Sequence, residues 1–246
     1  MKNFLGMAAL MVLGAQSAMA VPTLKLTMTQ ASATTCSTMS PFGQSITDGT
    51  FTQSYLGGGV CQFTTQAGII KVDGTYGTFN TSTDIAVGFP VQPMPAAWLN
   101  TTSSTPVASS IMISLVAFDY SNPTGIFNLI SSSSGTFNPG WSYTISGYFD
   151  SGNSQVAGAG TLVFSDAGVA SSALQSIAAT MSTHVNNDLD GLYSVSWILT
   201  GTQSLNGSQL TLGLNGTFAQ GAPAPGALAL IGLGLLGFGA LRRRLK

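Results

Sequence analysis

The stretch YSVSWILTGTQSLNGSQLTLGL, residues 193–214, decides the fold class of this chain. Apolar side chains recur at alternate positions in its first and last thirds, and a period of two is that of a β-strand with one buried face. These positions are Tyr193, Val195, Trp197, Leu199, Leu210, Leu212 and Leu214. The Asn206-Gly207 dipeptide between them is typical of a tight turn. The stretch therefore predicts a β-hairpin with its apolar face in a core.

The same alternation continues outward from this hairpin over most of the chain. It predicts strands at 24–29, 60–65, 84–89, 111–120 and 141–149. In the last of these, alternate apolar residues face one way, and we expect Trp141 and Trp197 to lie in the core.

Two further turns follow from turn-forming residues between apolar runs. Asp73-Gly74 predicts a hairpin that joins residues 68–72 to 75–79. The run from Asp150 to Asn153 predicts a turn that leads into a strand at 155–164.

Two segments depart from the period of two. Residues 90–106 are rich in proline and predict a long surface loop. Residues 170–181 carry apolar side chains at helical spacing, and Asp166 precedes them as a candidate N-cap, so they predict one short helix. The whole pattern predicts a mainly β fold, an antiparallel β-sandwich or jelly roll with one short helix.

The N-terminus has the three parts of a secretory signal peptide. Lys2 precedes an apolar run at 4–15, and Ala18-Met19-Ala20 forms a small-residue cleavage site. We expect a signal peptide at 1–20, export through the Sec pathway, and a secreted all-β domain at 21–220.

The predicted secreted domain carries few charges. Lys25 and Lys71 are its cations, against eight aspartates and no glutamate, which leaves a net charge of −6 where the whole chain has −1. Such a surface offers no basic patch to a phosphate backbone, so we expect no nucleic-acid partner. The abundant serine and threonine suit a neutral, sugar-rich surrounding, although they are common in other secreted β-proteins too.

Cys36 and Cys61 are the two cysteines of the chain. An even cysteine count in an exported domain predicts a disulfide, which would stabilise the fold by about 3.5 kcal/mol through loop closure. A metal or redox pair is the alternative, but it lacks C-x-x-C spacing and a nearby histidine.

The last residues, 221–246, form a segment of their own. Pro223-Ala224-Pro225 is a stiff linker, residues 226–241 are apolar and uncharged, and Arg242-Arg243-Arg244 begins a basic end. The apolar run predicts a C-terminal transmembrane helix with its basic end in the cytoplasm.

The order of these parts resembles the PEP-CTERM sorting signal, also known as the ice-binding protein C-terminal domain. That family has a Pro-Glu-Pro motif, a Gly/Leu-rich transmembrane helix and an arginine cluster; here Ala224 stands where the family has glutamate. The resemblance implies a Gram-negative bacterium and an exosortase that processes the tail at the membrane. It further implies an inner-membrane intermediate, then the cell surface or a biofilm matrix of exopolysaccharide. A plain membrane anchor is the alternative.

Trp98 is the candidate ligand-binding residue. It lies in the predicted proline-rich loop, and exposed aromatic rings stack on sugars.

Asn186, Asp188 and Asp190 are the candidate metal ligands. With Gly191 they match the first half of a calcium loop, but Trp197 occupies the twelfth position, where such loops have glutamate. A simple turn is the alternative, and otherwise we expect no cofactor.

Paired threonines (Thr-x-Thr) recur, with Thr27/Thr29 and Thr200/Thr202 among them. They follow no regular repeat, so we do not expect them to share one flat face.

These features predict a structural or interaction protein without catalysis. The one histidine, His184, has no nucleophile motif that would complete a triad. A carbohydrate-binding module that uses Trp98, with or without calcium, is the alternative. A hydrolase with paired aspartates is a third hypothesis.

Overall fold

A computed structural model describes residues 22–41, 51–66, 68–86, 94–103, 108–121, 125–170, 172–187 and 192–219. These residues form strands and connections. The strands are β1 (Thr23–Thr29), β2 (Met39–Pro41), β3 (Thr52–Gly57), β4 (Val60–Thr65), β5 (Ile69–Tyr76), β6 (Phe79–Ala86), β7 (Met94–Ser103), β8 (Ser109–Tyr120), β9 (Gly125–Phe137), β10 (Trp141–Asp150), β11 (Thr161–Val169), β12 (Gln175–Asn187), β13 (Tyr193–Gln203) and β14 (Gln209–Ala219).

The strands build two seven-stranded sheets. The first sheet has the order β11-β10-β13-β8-β1-β4-β3, and the second has the order β12-β9-β14-β7-β6-β5-β2. Neighbouring strands pair antiparallel throughout, for example β13 with β10 and β8. The predicted antiparallel sandwich is confirmed.

The core lies between the two sheets, as the alternation predicts. The strand from Trp141 to Phe149 turns its alternate apolar residues inward, and Trp141 and Trp197 are each 1% exposed. Leu24, Leu26 and Met28 of β1 are fully buried. Both tryptophans therefore lie in the core, as predicted.

The 193–214 stretch is two strands joined by a turn, but the strands do not pair with each other. β13 belongs to the first sheet and β14 to the second, where β14 pairs with β9 and β7. Residues 204–208 cross between the sheets, and Gly207 has a φ of 71° there. The turn at Asn206-Gly207 is confirmed, while the hairpin pairing is wrong. Sheets pack about 10 Å apart, a gap that a few extended residues span.

The hairpin turn predicted at Asp73-Gly74 is also wrong. Both residues lie inside β5, and the chain turns at Gly77-Thr78 so that Tyr76 pairs with Phe79. Gly74 serves a close approach instead, because a Cβ there would lie 2.2 Å from the carbonyl oxygen of Thr38, just before β2.

The helix predicted over 170–181 is wrong as well. Residues 175–187 form β12, which pairs with β9 along its full length. Ile177 is buried, Ala179 is half-buried and Met181 is 41% exposed on the face that turns toward the core. Asp166 lies in β11 and caps no helix.

The predicted loop at 90–106 contains a strand. Residues 94–103 form β7, which pairs with β6 and β14. At residues 151–160 the reverse holds: they form a loop, and β11 begins at Thr161 rather than at residue 155. The turn that opens this loop is confirmed, since Asp150 accepts hydrogen bonds from the backbone of Gly152 (3.2 Å) and Ser154 (2.8 Å).

A disulfide joins Cys36 to Cys61, as predicted. It ties the segment between β1 and β2 to β4. The same segment is held by Gln53, whose side-chain amide donates to the Cys36 carbonyl oxygen (3.1 Å), and by Tyr55, whose hydroxyl donates to that of Ala33 (3.1 Å). A disulfide is typical of a protein that folds in an oxidising compartment.

The predicted terminal segments lie outside the described residues. They are the signal peptide at 1–20 and the sorting segment at 221–246, including the apolar run at 226–241. The sorting residues Pro223, Ala224, Pro225, Arg242, Arg243 and Arg244 belong to the second segment. The described part of the chain has no helix long and apolar enough to cross a membrane.

Glycines make room for the large rings in the first sheet. A Cβ at Gly147 would lie 2.9 Å from the Trp197 ring and 3.1 Å from Phe164 Cβ. At Gly201 it would lie 2.8 Å from the Trp141 ring. Each tryptophan thus packs over the bare backbone of a neighbouring strand.

Gly147→Ala should destabilise the fold by about 1–3 kcal/mol, because the added methyl group meets the Trp197 ring and Phe164 Cβ, and both of these residues are already buried. Chemical denaturation checks this. Gly152→Ala is the control, since its Cβ would lie 3.5 Å from its nearest neighbour, an ordinary contact. Equal stability of the two variants would contradict the tight packing at Gly147.

Candidate functional site

The structure describes two of the predicted ligand residues, Trp98 and Asn186, and places them far apart. Trp98 lies in β7, where its backbone pairs with Asp84 and Gly213, rather than in a loop. Asn186 is exposed on β12, and Asp188 and Asp190 lie outside the described residues. Trp98 and Asn186 are three strands and eight residues apart in the second sheet, or about 30 Å at the usual strand spacings.

A different surface gathers hydroxyl groups: the outer face of the first sheet. We call its three cross-strand rows the hydroxyl face. The rows are Ser142–Thr202–Ser110, Thr144–Thr200–Met112–Thr29 and Ser146–Ile198–Ser114–Thr27. Neighbours in a row are about 4.8 Å apart and rows are about 6.8 Å apart. No member of these rows is charged.

The hydroxyl face corrects the expectation about the threonine pairs. Thr27 and Thr29 on β1 share it with Thr200 and Thr202 on β13, although they are distant in sequence. β8 lies between the two strands and aligns them. The sequence signal for this face is the set of polar residues at the outward positions of each alternating strand. The sequence does not show which strands are neighbours in the sheet.

A surface pocket of about 340 Å³ adjoins one end of the hydroxyl face. Ser142 and Thr202 belong to both the face and the pocket. Its further lining residues are Gly140, Trp141, Val169, Ala170, Ser204 and Leu205. The exposed Val169 and Leu205 give it an apolar part and the hydroxyls a polar part, with no charge among the lining residues.

Local packing fixes the wall of this pocket. Ser204 donates from its backbone (2.8 Å) and its hydroxyl (3.1 Å) to the Gly140 carbonyl oxygen. Leu205 lies directly over Gly140, where a Cβ would come within 2.6 Å of its Cγ. The glycine therefore allows Leu205 to close one side.

The 151–160 loop borders the opposite end of the hydroxyl face. Gly158 donates its N–H to the Ser196 hydroxyl (3.2 Å), and the Lys25 ammonium donates to the Gln155 carbonyl oxygen. Desolvation under the loop lowers the pKa of Lys25. Lys25, the cation that the described part of the chain places near the face, is thereby partly withdrawn from water.

Asn153 and Asp119 anchor this loop to the sheet. The Asn153 amide donates to the Asp119 carboxylate (2.9 Å) and accepts from the Asp119 backbone N–H (2.8 Å). Thr23 donates a further bond to the carboxylate (3.2 Å). Both anchor residues have a positive φ, 71° at Asp119 and 56° at Asn153. Asp and Asn tolerate this conformation better than most residues.

A third aspartate joins the two sheets. Asp166 accepts hydrogen bonds from Ser133 of the second sheet (3.0 Å) and from the Tyr143 hydroxyl (3.2 Å). Burial, and then the charge and hydrogen bond of Asp166, raise the pKa of Tyr143 to about 12. Asp119, Asp150 and Asp166 thus all have structural bonds to make.

The hydroxyl face can form several weak, neutral hydrogen bonds, mainly from its first two rows, because Ser114 of the third row is buried. It has exposed apolar surface as well, since Met112 at its centre is 39% exposed. Polar rims beside apolar patches fit neutral ligands that carry both hydroxyl and C–H surfaces.

Solved structures of other proteins show limited similarity to this fold. The structure of TmCBM61 in complex with β-1,4-galactotriose has a TM-score of 0.25 and 10% identity, over 58% of this chain and 88% of that one. A CBM4 structure has a TM-score of 0.26 and 12% identity, over 57% of this chain and 87% of that one. The enzymatically active domain of tailspike protein 4 from bacteriophage CBA120 has a TM-score of 0.28 and 12% identity, over 58% of this chain and 19% of that one.

No protein-family model matches the sequence, and no curated protein matches it. The similarities to solved structures assign the chain to no family.

Stability should fall as pH rises from about 10 to 12. A phenol whose pKa is raised on folding contributes stability that is complete below its unfolded value of about 10 and is lost as pH passes its folded value. Tyr76, with a pKa of about 12, titrates in the same window as Tyr143. Tyr143→Phe should make the decline shallower, as measured by denaturation at a series of pH values.

Asp166→Asn is the comparison for this series. It leaves burial, the larger cause of the Tyr143 shift, in place and should retain more of the decline than Tyr143→Phe. A decline that is unchanged by Tyr143→Phe would contradict the assignment.

Proposed function

We propose that this chain is an exported surface or matrix protein that contacts neutral polysaccharide through the hydroxyl face. The role is structural or one of interaction, and the proposal includes no catalysis. The observation that carries it is the two-dimensional array of uncharged hydroxyls on the outer face of the first sheet.

Neutral polysaccharide fits this array for a chemical reason. Sugar hydroxyls both donate and accept hydrogen bonds, as do Ser and Thr side chains. Each such bond exchanges with water and contributes little, about 0.5–1.5 kcal/mol, so affinity requires many bonds at once. An extended polymer can contact several rows, whereas a small solute cannot. The three rows contain no cation that would select an acidic polymer, and the Lys25 ammonium beside them donates to the 151–160 loop.

The pocket beside the face extends this proposal to a single sugar ring. At about 340 Å³ it is near the lower end of ligand sites, which start at about 300 Å³. A pyranose has C–H groups on its faces and hydroxyls at its rim. Val169 and Leu205 would contact the C–H groups, and Ser142 and Thr202 the hydroxyls.

Export and sorting belong to the same proposal. The signal-peptide pattern at 1–20 supports Sec export, and the Cys36–Cys61 disulfide supports an oxidising destination. The PEP-CTERM resemblance of residues 221–246 supports an exosortase partner, a membrane-anchored intermediate, and release to the surface or exopolysaccharide matrix of a Gram-negative bacterium.

Thr144→Lys with Thr200→Lys should weaken binding to neutral polysaccharide about tenfold or more, which corresponds to about 1.4 kcal/mol. The two threonines are exposed cross-strand neighbours. A polymer bound over them would bury the two introduced ammonium groups, which would then lose their hydration. Co-sedimentation with insoluble cellulose, starch and β-1,4-galactan measures this.

Thr136→Lys with Thr211→Lys is the matched control. These residues are also solvent-accessible cross-strand neighbours, but they lie on β9 and β14, on the outer face of the second sheet and away from the hydroxyl face. Equal losses in both double variants, or no binding of the unmodified protein to any neutral polymer, would refute the proposal. The same assay repeated with a chelator tests the predicted calcium site at Asn186, Asp188 and Asp190, because polysaccharide binding that needs calcium should be lost when the chelator removes the ion.

The protein recovered from the matrix of the producing cells should have an intact mass that begins at Val21 and ends within 222–226. Two hydrogens should be missing because of the disulfide. Additional mass would identify an attached glycan or lipid. A protein that retains Arg242 and is found solely in membranes would refute the sorting proposal and leave a simple anchor.

A further inference from the structure

The two sheets have four edge strands, and three of them carry features that discourage pairing with another chain. β2 has only three residues and ends in Pro41. β3 has a register shift between Tyr55 and Gly57. β11 has a bulge at Val163, where its pairing with β10 shifts register, and its Asp166 is turned toward the second sheet. Short length, proline, bulges and inward charges are the usual protections of a sheet edge.

The fourth edge strand, β12, has none of these features. Its thirteen residues, QSIAATMSTHVNN, include no lysine, arginine, aspartate, glutamate, proline or glycine. Its register with β9 is continuous from Gln175 to Asn187. Among the described strands it pairs with β9 alone. A long, uncharged edge with a continuous register is a template for another strand.

We propose that β12 is an interaction surface for a second copy of this chain, with the two β12 strands antiparallel about a two-fold axis at Met181. In that register Ile177 lies opposite Val185, and Thr180 lies opposite Ser182. Ile177 and Val185 are both buried, while Thr180 and Ser182 are both exposed. Apolar residues therefore lie opposite apolar residues, and no two like charges lie opposite each other. The strand is complementary to itself.

A contact with the first sheet holds this edge in place. The Thr183 hydroxyl donates to the Val163 carbonyl oxygen of β11 (3.0 Å), which holds β12 against the other sheet. Met181, at the proposed axis, is 41% exposed and would be covered by its own symmetry mate. The self-pairing also accounts for an edge without charge in a domain with a net charge of −6.

Met181→Cys in the full chain tests the axis. Directly opposed residues in antiparallel strands have Cα atoms about 4.5–5.5 Å apart, within the range that a disulfide bridges. Mild oxidation should give a covalent dimer of twice 25.1 kDa, or twice the processed mass, on a non-reducing gel. Met112→Cys is the matched control, since Met112 is 39% exposed but lies in the middle of the first sheet.

A charge series tests the register. Thr180→Lys with Ser182→Lys places ammonium groups opposite each other in the proposed pair and should give a monomer. Thr180→Lys with Ser182→Glu places opposite charges together and should restore the dimer. Sedimentation of the full chain in a mild detergent measures both.

Several results would overturn this inference. They are equal cross-linking at positions 181 and 112, a monomeric unmodified protein, or a dimer that survives the double-lysine change. A monomer in both charge variants would refute the two-fold register. The cross-linking test and the charge series use no glycan, so their outcomes are independent of the polysaccharide proposal.

Discussion

The packing of two tryptophan rings over glycines is the contact on which this structure depends. Trp197 lies against Gly147 and Trp141 against Gly201, and both contacts join β10 to β13 in the first sheet. They require the rings to face inward. Because side chains alternate along a strand, the residues beside them must then face outward, and a slip of one residue would invert both faces. The inward packing of the two rings therefore places the hydroxyl residues of β10 and β13 on the outer face of the sheet.

Local alternation could be predicted from the sequence, but sheet partnership could not. The inward positions of β10 and β13 follow from a period of two, which is a property of one strand. That β13 and β14 belong to different sheets depends on which distant strands complete each sheet. For the same reason the sequence did not reveal that Thr27 and Thr200 share a face.

The incorrect helix has a related cause. Residues 170–181 carry small apolar side chains whose spacing fits a helix, and alanine favours helices. Pairing with β9 over thirteen residues outweighs that preference, since local propensity is a weak signal beside a complete ladder of hydrogen bonds. The loop predicted at 90–106 contains β7 because proline is also tolerated at irregular positions of a sheet, and Pro95 lies where the pairing of β7 with β14 shifts register. The predicted Trp98 site rested on that loop.

The hydroxyl face and the β12 edge lie on different sheets, so both can be used together. A two-fold axis that pairs antiparallel strands within one continuous sheet runs perpendicular to that sheet. Such an axis leaves the inner and outer sides of each copy in place, so the two hydroxyl faces of the proposed dimer point the same way. A polymer bound to one face would then meet the second at high effective concentration, and linked sites of this kind gain about 10²–10⁴ in affinity without any new contact. For a face built from weak neutral hydrogen bonds, pairing at β12 would convert many weak contacts into stable attachment.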